Sequence, residues 1–496
     1  MSLYKNLFKQ TVIYGLATVL PRIISFLLNP LFVIYLRDKS EMGEVSVIFS
    51  YLVFFNVILS YGMETAFFRF YNLEGTSDSE LAKQNKKKVI STATITLFWS
   101  SIGFLFLSLL FRKTLSNWAG INVEYITYSI WILALDALVI IPFSKLRAEK
   151  KPLKYAFIKI GNVTVNLLLN IFFLAFLPKL ANQNPDGFLN TIYYPNFQIG
   201  YIFISNLAAS LLTFLVLIPN YINISWKFDK QLWKKMMQYG LPILIAGIAF
   251  AINEHFDKIL LDWLHVSKSE IGAYAACYKI GMFMVLFRTA YTLGIEPFFF
   301  SHAANENAPQ TYATITKYFV IFGSFITLFV ITFVDLLKHL LVPNPDYWNA
   351  IKVVPLIVLA NFFLGIYTNL SVWYKLIDKT KIGAYISIIG AIVTLALNYL
   401  LIPIMSYYGS AIATIAAYGT MMIISYKLGQ KSYPIPYDMN KIFSYLGLTI
   451  VFSAVSFYIP SIRDNYYVKT LLLVVFLYFI YFSEKETLVR ILKRRS

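Results

Sequence analysis

Fourteen stretches of about 20 mostly apolar residues follow one another along this chain, from about residue 11 to about residue 482, with only short connectors between them. In hydrocarbon the backbone N–H and C=O groups of such a stretch have no water to bond, so each stretch must satisfy them internally, as a helix does. The chain is therefore read as an all-α polytopic membrane protein. A charged content of 14% is too low to cover a water-soluble surface of this size, and a mean hydropathy of +0.63 agrees. No connector is long enough to hold a catalytic domain in water. The single cysteine, Cys277, lies inside an apolar stretch, which excludes an internal disulfide and a cysteine-based metal cluster. The basic start leads into an apolar run interrupted by Pro21 and Pro30, without a compact cleavable region, and is read as a retained first span.

The chain also repeats itself. KSEMG at Lys39 to Gly43 returns as KSEIG at Lys268 to Gly272, and GMETAFF at Gly62 to Phe68 returns as GIEPFFF at Gly294 to Phe300. The two offsets, about 229 and about 232 residues, differ by close to one helical turn. Both echoes fall at the ends of apolar stretches, so they mark two copies of one helix-loop-helix unit. An even number of spans separates the copies, which gives them the same orientation and relates them by an axis along the membrane normal. Duplicated membrane proteins of this kind are mostly transporters, with the substrate path between the halves. The resulting plan is an amino-terminal six-helix lobe at 1–219, a cytoplasmic linker at 220–238, a second six-helix lobe at 239–429, and an additional helix pair with a basic tail at 430–496.

The net charge of +18 raises the question of nucleic acid. The basic residues, however, sit in the connectors. With the amino terminus inside, about 29 Lys and Arg fall on the cytoplasmic side and about 10 outside, which is a topology signal. Lys83, Lys86, Lys87 and Lys88, then Lys145, Arg147, Lys150, Lys151 and Lys154, and the KRRS tail all point the same way, so both termini are expected in the cytoplasm.

A charge at mid-bilayer costs roughly 2.5 to 3.5 kcal/mol, so one that persists faces a wet cavity or a partner. Arg22 stands near the middle of the first stretch, 11–36, beside Pro21, and the two prolines should kink that helix. In the seventh, 239–264, helical spacing puts Glu254, Asp257, Lys258 and Asp262 on one face, with Glu254 and Lys258 placed for an i,i+4 pair. That face either lines a hydrated, ion-coupling path or holds helices together. A metal site from Glu254, His255 and Asp257 lacks a second His at i+4, and none is assigned. Lys279 and Arg288 in the eighth, 271–297, lie about 180° apart on a straight helix, so at most one faces a central cavity. Glu64 and Glu296 are repeat equivalents at the cytoplasmic ends of the second and eighth stretches. They are candidate gate latches with Arg69 or other inside cations, or carboxylates at wet helix ends. Asp136, Lys159 and Lys375 are expected near the membrane interface.

No nucleotide-binding glycine loop, HExxH or GxSxG is present, so no enzyme chemistry and no ATP drive is assigned. The run GLPILIAGIAFAINEHFDKILLDWL followed by SEIGAYAACYKIG is similar to the start of the second lobe in polysaccharide-exporting flippases. The matching positions are Gly240, Leu241, Pro242, Asp257, Lys258, Gly272, Tyr274 and Lys279, with Cys277 in place of the family's Ala. YLRDKSEMGEVS and YGMETAFFRFY resemble the first-lobe signatures. The chain thus resembles, over essentially its whole length, the O-antigen and capsule flippases of the multidrug/oligosaccharidyl-lipid/polysaccharide exporter superfamily.

The resemblance implies a MATE-like pair of lobes that flips an undecaprenyl pyrophosphate-linked oligosaccharide across a bacterial inner membrane. By position it implies that Arg22 and Arg288 contact the pyrophosphate, and that the last two spans form a groove for the lipid tail. Expected partners are the lipid-linked oligosaccharide, membrane lipid, and the polymerase and glycosyltransferases of the same route. No cofactor, metal or nucleic acid is expected. A drug antiporter, for which Glu254, Asp257 and Asp262 would serve as the acidic site, stands as the alternative, ahead of a membrane-bound polymerase or a scaffold.

Overall fold

The computed structural model describes residues 2–73, 80–222, 224–303 and 305–493, which leaves the last three residues of the KRRS tail outside. Among the described residues are fourteen helices long and apolar enough to cross a membrane. Contacts divide the chain into two compact units, Met1–Gly272 and Ala273–Ser496. The first holds span one (Ile13–Tyr35), two (Lys39–Leu73), three (Glu80–Leu110), four (Val123–Ala148), five (Pro152–Gln183), six (Gln198–Ile222) and seven (Lys230–His255). The second holds span eight (Lys268–Phe300) beyond its first turn, then nine (Ala308–Thr332), ten (Pro345–Leu376), eleven (Lys381–Met405), twelve (Tyr407–Ser432), thirteen (Met439–Tyr458) and fourteen (Tyr466–Lys485). Span seven begins the second copy of the repeat, yet it counts with the first unit because it packs along both helices of span two.

The spans break in register with the duplication. Span one is interrupted at Leu27, between helices Ser2–Phe26 and Leu28–Tyr35. Pro30 has no N–H for the Phe26 carbonyl, so the helix parts there, while it runs through Pro21. Span seven is interrupted at Phe256, between Lys230–His255 and Asp257–Trp263, again at an offset of about 229. Span four breaks at Val139, before Pro142. The Leu138 carbonyl that Pro142 cannot serve accepts the Tyr221 hydroxyl from the end of span six. Span ten breaks at Ser371, about 232 residues on.

The echoed motifs are helix starts that pack on each other. Asp38 caps helix Lys39–Ser60 by accepting from the Ser40 and Glu41 amides, and Ser267 caps the second copy by accepting from the Glu270 amide. A Cβ on Gly43 would lie 1.9 Å from the Lys268 carbonyl oxygen, and one on Gly272 would lie 1.8 Å from the Lys39 oxygen. The crossing is symmetric, and only glycine fits on either side of it. The other echo is not preserved in conformation. Gly62 sits in a break of span two with φ +72°, against the Gly240 carbonyl, whereas Gly294 lies inside an unbroken helix, Lys268–Ser301, with open space around it.

Spans thirteen and fourteen pack along span nine, with Leu328, Leu473 and Phe476 buried between them. Ion pairs fasten both ends. At one end Asp335 takes Arg463 Nε and Nη2 at 3.0 and 2.9 Å and Lys338 Nζ at 2.7 Å. Lys469, almost fully buried, stands 3.5 Å away. At the other end Glu484, also buried, accepts from Lys317 at 2.6 Å, Lys441 at 2.9 Å and the Tyr445 hydroxyl at 3.0 Å.

Candidate functional site

The charged side chains form intra-unit pairs at matching places in the two copies. At the end of span two, Glu64 Oε1 accepts from Arg147 Nη1 at 2.9 Å, and both side chains are almost half exposed. At the end of span eight, Glu296 Oε1 accepts from Lys375 Nζ at 2.6 Å. Each acid thus ties the end of one span to the end of the next but one, across sequence separations of 83 and 79 residues. Of the expected partners, Arg69 or another inside cation, it is the second kind that pairs with Glu64 here. Arg69 is five residues beyond Glu64 on the same helix, off its face, and its guanidinium lies 4.2 Å from the centre of the Tyr239 ring.

Deeper in the first unit lies a group that hydropathy alone misplaces. Asp136 and Lys159 were expected at the interface, but span four runs on to Ala148 past the break at Val139, and this leaves Asp136 in mid-span. Lys159 lies about 10 Å along helix Pro152–Ile171. Ser210 Oγ donates to Asp136 Oδ1 at 2.8 Å, and Asn56 lies close enough to act on the same carboxylate. Lys159 is within electrostatic reach of Asp136, Glu64 and Arg147, with its ammonium 4.4 Å from the Phe143 ring centre. Lys375, by contrast, does sit at a span end.

The span-seven residues do not form one continuous helical face, because the break at Phe256 shifts the helical phase between Glu254 and the segment that starts at Asp257. Lys258 Nζ donates to both oxygens of Asp257, at 3.1 and 3.0 Å. Asp262 pairs with Lys268 at 2.6 Å, and Glu254 stands 3.9 Å from His255 Nε2. Arg22 is exposed on the helix before the Leu27 break, while Lys279 and Arg288 are half-buried on the unbroken span-eight helix and so keep their separation of about 180°. An apolar cavity of about 180 Å³, lined by Tyr51, Phe55, Phe104, Trp118 and Leu133 among others and by no charged side chain, lies in the first unit.

The partners that sequence reasoning did not supply are Arg147 and Lys375. A signal existed: each is a cation at the end of the span that breaks in register, four and ten, at nearly the same distance from its acid.

Known proteins share this fold. Over 95% of this chain and 99% of the other, the structure is similar to a lipid II flippase MurJ in an inward closed conformation, with 15% identity and a TM-score of 0.71. It is also similar to an inward-facing multidrug resistance MATE family transporter of the MOP superfamily, with 12% identity over 87% of this chain and 99% of that one and a TM-score of 0.64. A MOP superfamily transporter from Pyrococcus furiosus, described as having a binding pocket of reversed polarity, matches with 14% identity over 85% of this chain and 95% of that one and a TM-score of 0.56. No curated protein matches the sequence. The MatE family model matches residues 242–400. The model described as "Polysaccharide biosynthesis protein" matches residues 7–301, more than half of the chain and both copies of the echoed motif, so the chain belongs to the polysaccharide biosynthesis protein family.

Proposed function

We propose that this chain is a flippase that carries an undecaprenyl pyrophosphate-linked oligosaccharide from the cytoplasmic to the outer leaflet of a bacterial inner membrane, by alternating access, for polysaccharide biosynthesis. The observation that carries the reading is that the charges well inside spans one and eight, Arg22, Lys279 and Arg288, are all cations. Cations at that depth are costly and suit an anionic pyrophosphate better than a cationic drug. Family membership supports a polysaccharide product, and the flippase-like fold supports a lipid-linked carrier.

On this reading Arg22 and Arg288 bind the pyrophosphate. Glu254, Asp257, Lys258, Asp262 and Lys279 supply ion coupling, which a membrane potential can drive at about 2.3 kcal/mol per charge per 100 mV. Glu64 and Glu296, with Arg147 and Lys375, act at the cytoplasmic gate. Both termini face the cytoplasm, the functional lobes are 1–219 and 239–429 joined by 220–238, and the pair at 430–496 attends the lipid tail. The chain performs no catalysis itself and works with the polymerase and glycosyltransferases of its route.

The test is Arg22→Ala and Arg288→Ala, scored by polysaccharide export at matched membrane levels. Loss of export in both supports the roles, and full export in both refutes them. The MatE match over 242–400 keeps a cation-coupled drug antiporter as the second reading. Under that reading a deletion strain becomes sensitive to cationic drugs and keeps its glycan.

A further inference from the structure

The Glu64–Arg147 pair opens onto a larger cluster in the first unit. The Arg147 guanidinium lies 4.7 Å from the Phe68 ring centre and 6.0 Å from that of Tyr155. Tyr155 meets Phe143 edge-on at 5.5 Å and Tyr14 at 5.6 Å. Phe143 in turn carries Lys159 over its ring. Spans one, two, four and five thereby bring two cations and two phenols into one aromatic-walled group. It begins at the end of span four and reaches about 10 Å along span five from its start at Pro152. One member has nothing to bond: the Tyr14 hydroxyl is buried and has no hydrogen-bond partner among the described residues. A buried hydroxyl left unsatisfied costs on the order of the hydrogen bond it forgoes.

Each cation already holds a carboxylate. Arg147 has Glu64 at 2.9 Å, and Lys159 has Asp136 within electrostatic reach. Lys145, the next cation on the Arg147 helix, is held separately by Glu149 at 3.9 Å, as is Lys151 at 2.7 Å. A phosphate offers what the group lacks, namely several strong acceptor oxygens for a planar guanidinium, an ammonium and a hydroxyl together.

We infer that Arg147, Lys159 and Tyr14 form a docking site for a lipid-borne phosphate or pyrophosphate at the inner mouth of the first unit, with Glu64 and Asp136 as internal anions that hold the cations until the ligand displaces them. The inference rests on the proposed function, since it names where the pyrophosphate of that substrate is first met. It differs in its residues from the mid-span role of Arg22 and Arg288. The half-exposed Arg147 and Glu64 are the outer contact, and Lys159 is the inner one, so the charged end of a lipid would pass from the first to the second.

The experiment uses the full-length purified protein in detergent and measures affinity for farnesyl pyrophosphate, with farnesol and inorganic pyrophosphate as comparators and phosphatidylglycerol as competitor. Expected are binding of both pyrophosphates without binding of farnesol, and a loss of about ten-fold or more in Arg147→Gln and in Lys159→Gln, as for a charged hydrogen bond removed. Glu64→Gln, which releases Arg147, should bind the probe more tightly than the wild type. That opposite sign survives even if a cation variant fails to fold. Competition by phosphatidylglycerol would assign the site to lipid headgroups as well, and its absence to pyrophosphate carriers; both keep the site. Unchanged affinity in well-folded Arg147→Gln and Lys159→Gln, weaker binding in Glu64→Gln, or equal binding of farnesol would overturn it. Those failures leave the flipping of lipid-linked glycan untouched, because that is measured on transport and not on this probe.

Discussion

Replacing Gly43 by Ala is the sharpest test of why the sequence repeats itself. The added Cβ would stand 1.9 Å from the Lys268 carbonyl oxygen, where ordinary contact begins near 3.4 Å, so the two helix starts must part by about 1.5 Å. The obstacle is backbone on both sides, and no rotamer can yield. Overpacking of this kind costs roughly 1 to 3 kcal/mol, and a rigid crossing belongs at the upper end. Gly272→Ala meets the Lys39 oxygen at 1.8 Å and should cost about the same. The double variant should cost clearly less than the sum, because one Ala already opens the crossing the other would strain. Gly103→Ala and Gly294→Ala serve as controls. Both are helical with nothing within 4 Å of the new atom, and helix propensity favours Ala by up to about 1 kcal/mol. Thermal unfolding of the purified variants in one detergent reads all five. Wild-type melting in Gly43→Ala and Gly272→Ala, or strict additivity in the pair, would refute the crossing.

Other expectations come from single contacts. Tyr221→Phe leaves the Leu138 carbonyl without a donor and should cost about 1 to 3 kcal/mol, and adding Pro142→Ala, which restores the helical N–H, should recover part of it; no recovery would argue against the cap. Glu484→Gln strips a buried anion from Lys317 and Lys441 and should destabilise by about 3 to 5 kcal/mol, seen as a lower melting temperature, so unchanged melting contradicts the fastening of the last pair. Burial alone would raise the Asp335 carboxyl, but hydrogen bonds from Arg463 and Lys338 outweigh it and hold the group well below the usual carboxylate range. A lowered folded value means stability that is present above about pH 4, the unfolded value, and lost as pH falls through the folded one. Wild type should therefore exceed Asp335→Asn in melting temperature by a constant margin from pH 7 to 5 and lose that margin in stronger acid; a margin that vanishes already near pH 6 would refute the assignment.

The span count and the duplication were legible because hydropathy and short motifs are local. KSEMG and KSEIG read as an echo in sequence, but the reason for the two glycines is tertiary, since each faces the other copy's Lys carbonyl. Pro30 signalled the break in span one. No proline stands behind the break at Phe256, and its place was legible only through its correspondence with Leu27. Asp136 was misplaced because a hydropathy window ends where Lys145 and Arg147 begin, whereas the helix continues through them to Ala148. Glu64 and Glu296 were found by the repeat; their partners were not, because a cation more than seventy residues away carries no local mark of which acid it meets.

The central claim is flipping, and leaflet-resolved quantification of lipid-linked oligosaccharide tests it most directly. The gene is deleted in its host, the oligosaccharide is measured by mass spectrometry, and membrane vesicles of known sidedness are labelled from one face. Complete repeat units should accumulate on the cytoplasmic face and return to the outer face when the intact gene is restored. Unchanged amount and unchanged sidedness, in a host without a second flippase for the same glycan, would contradict the account.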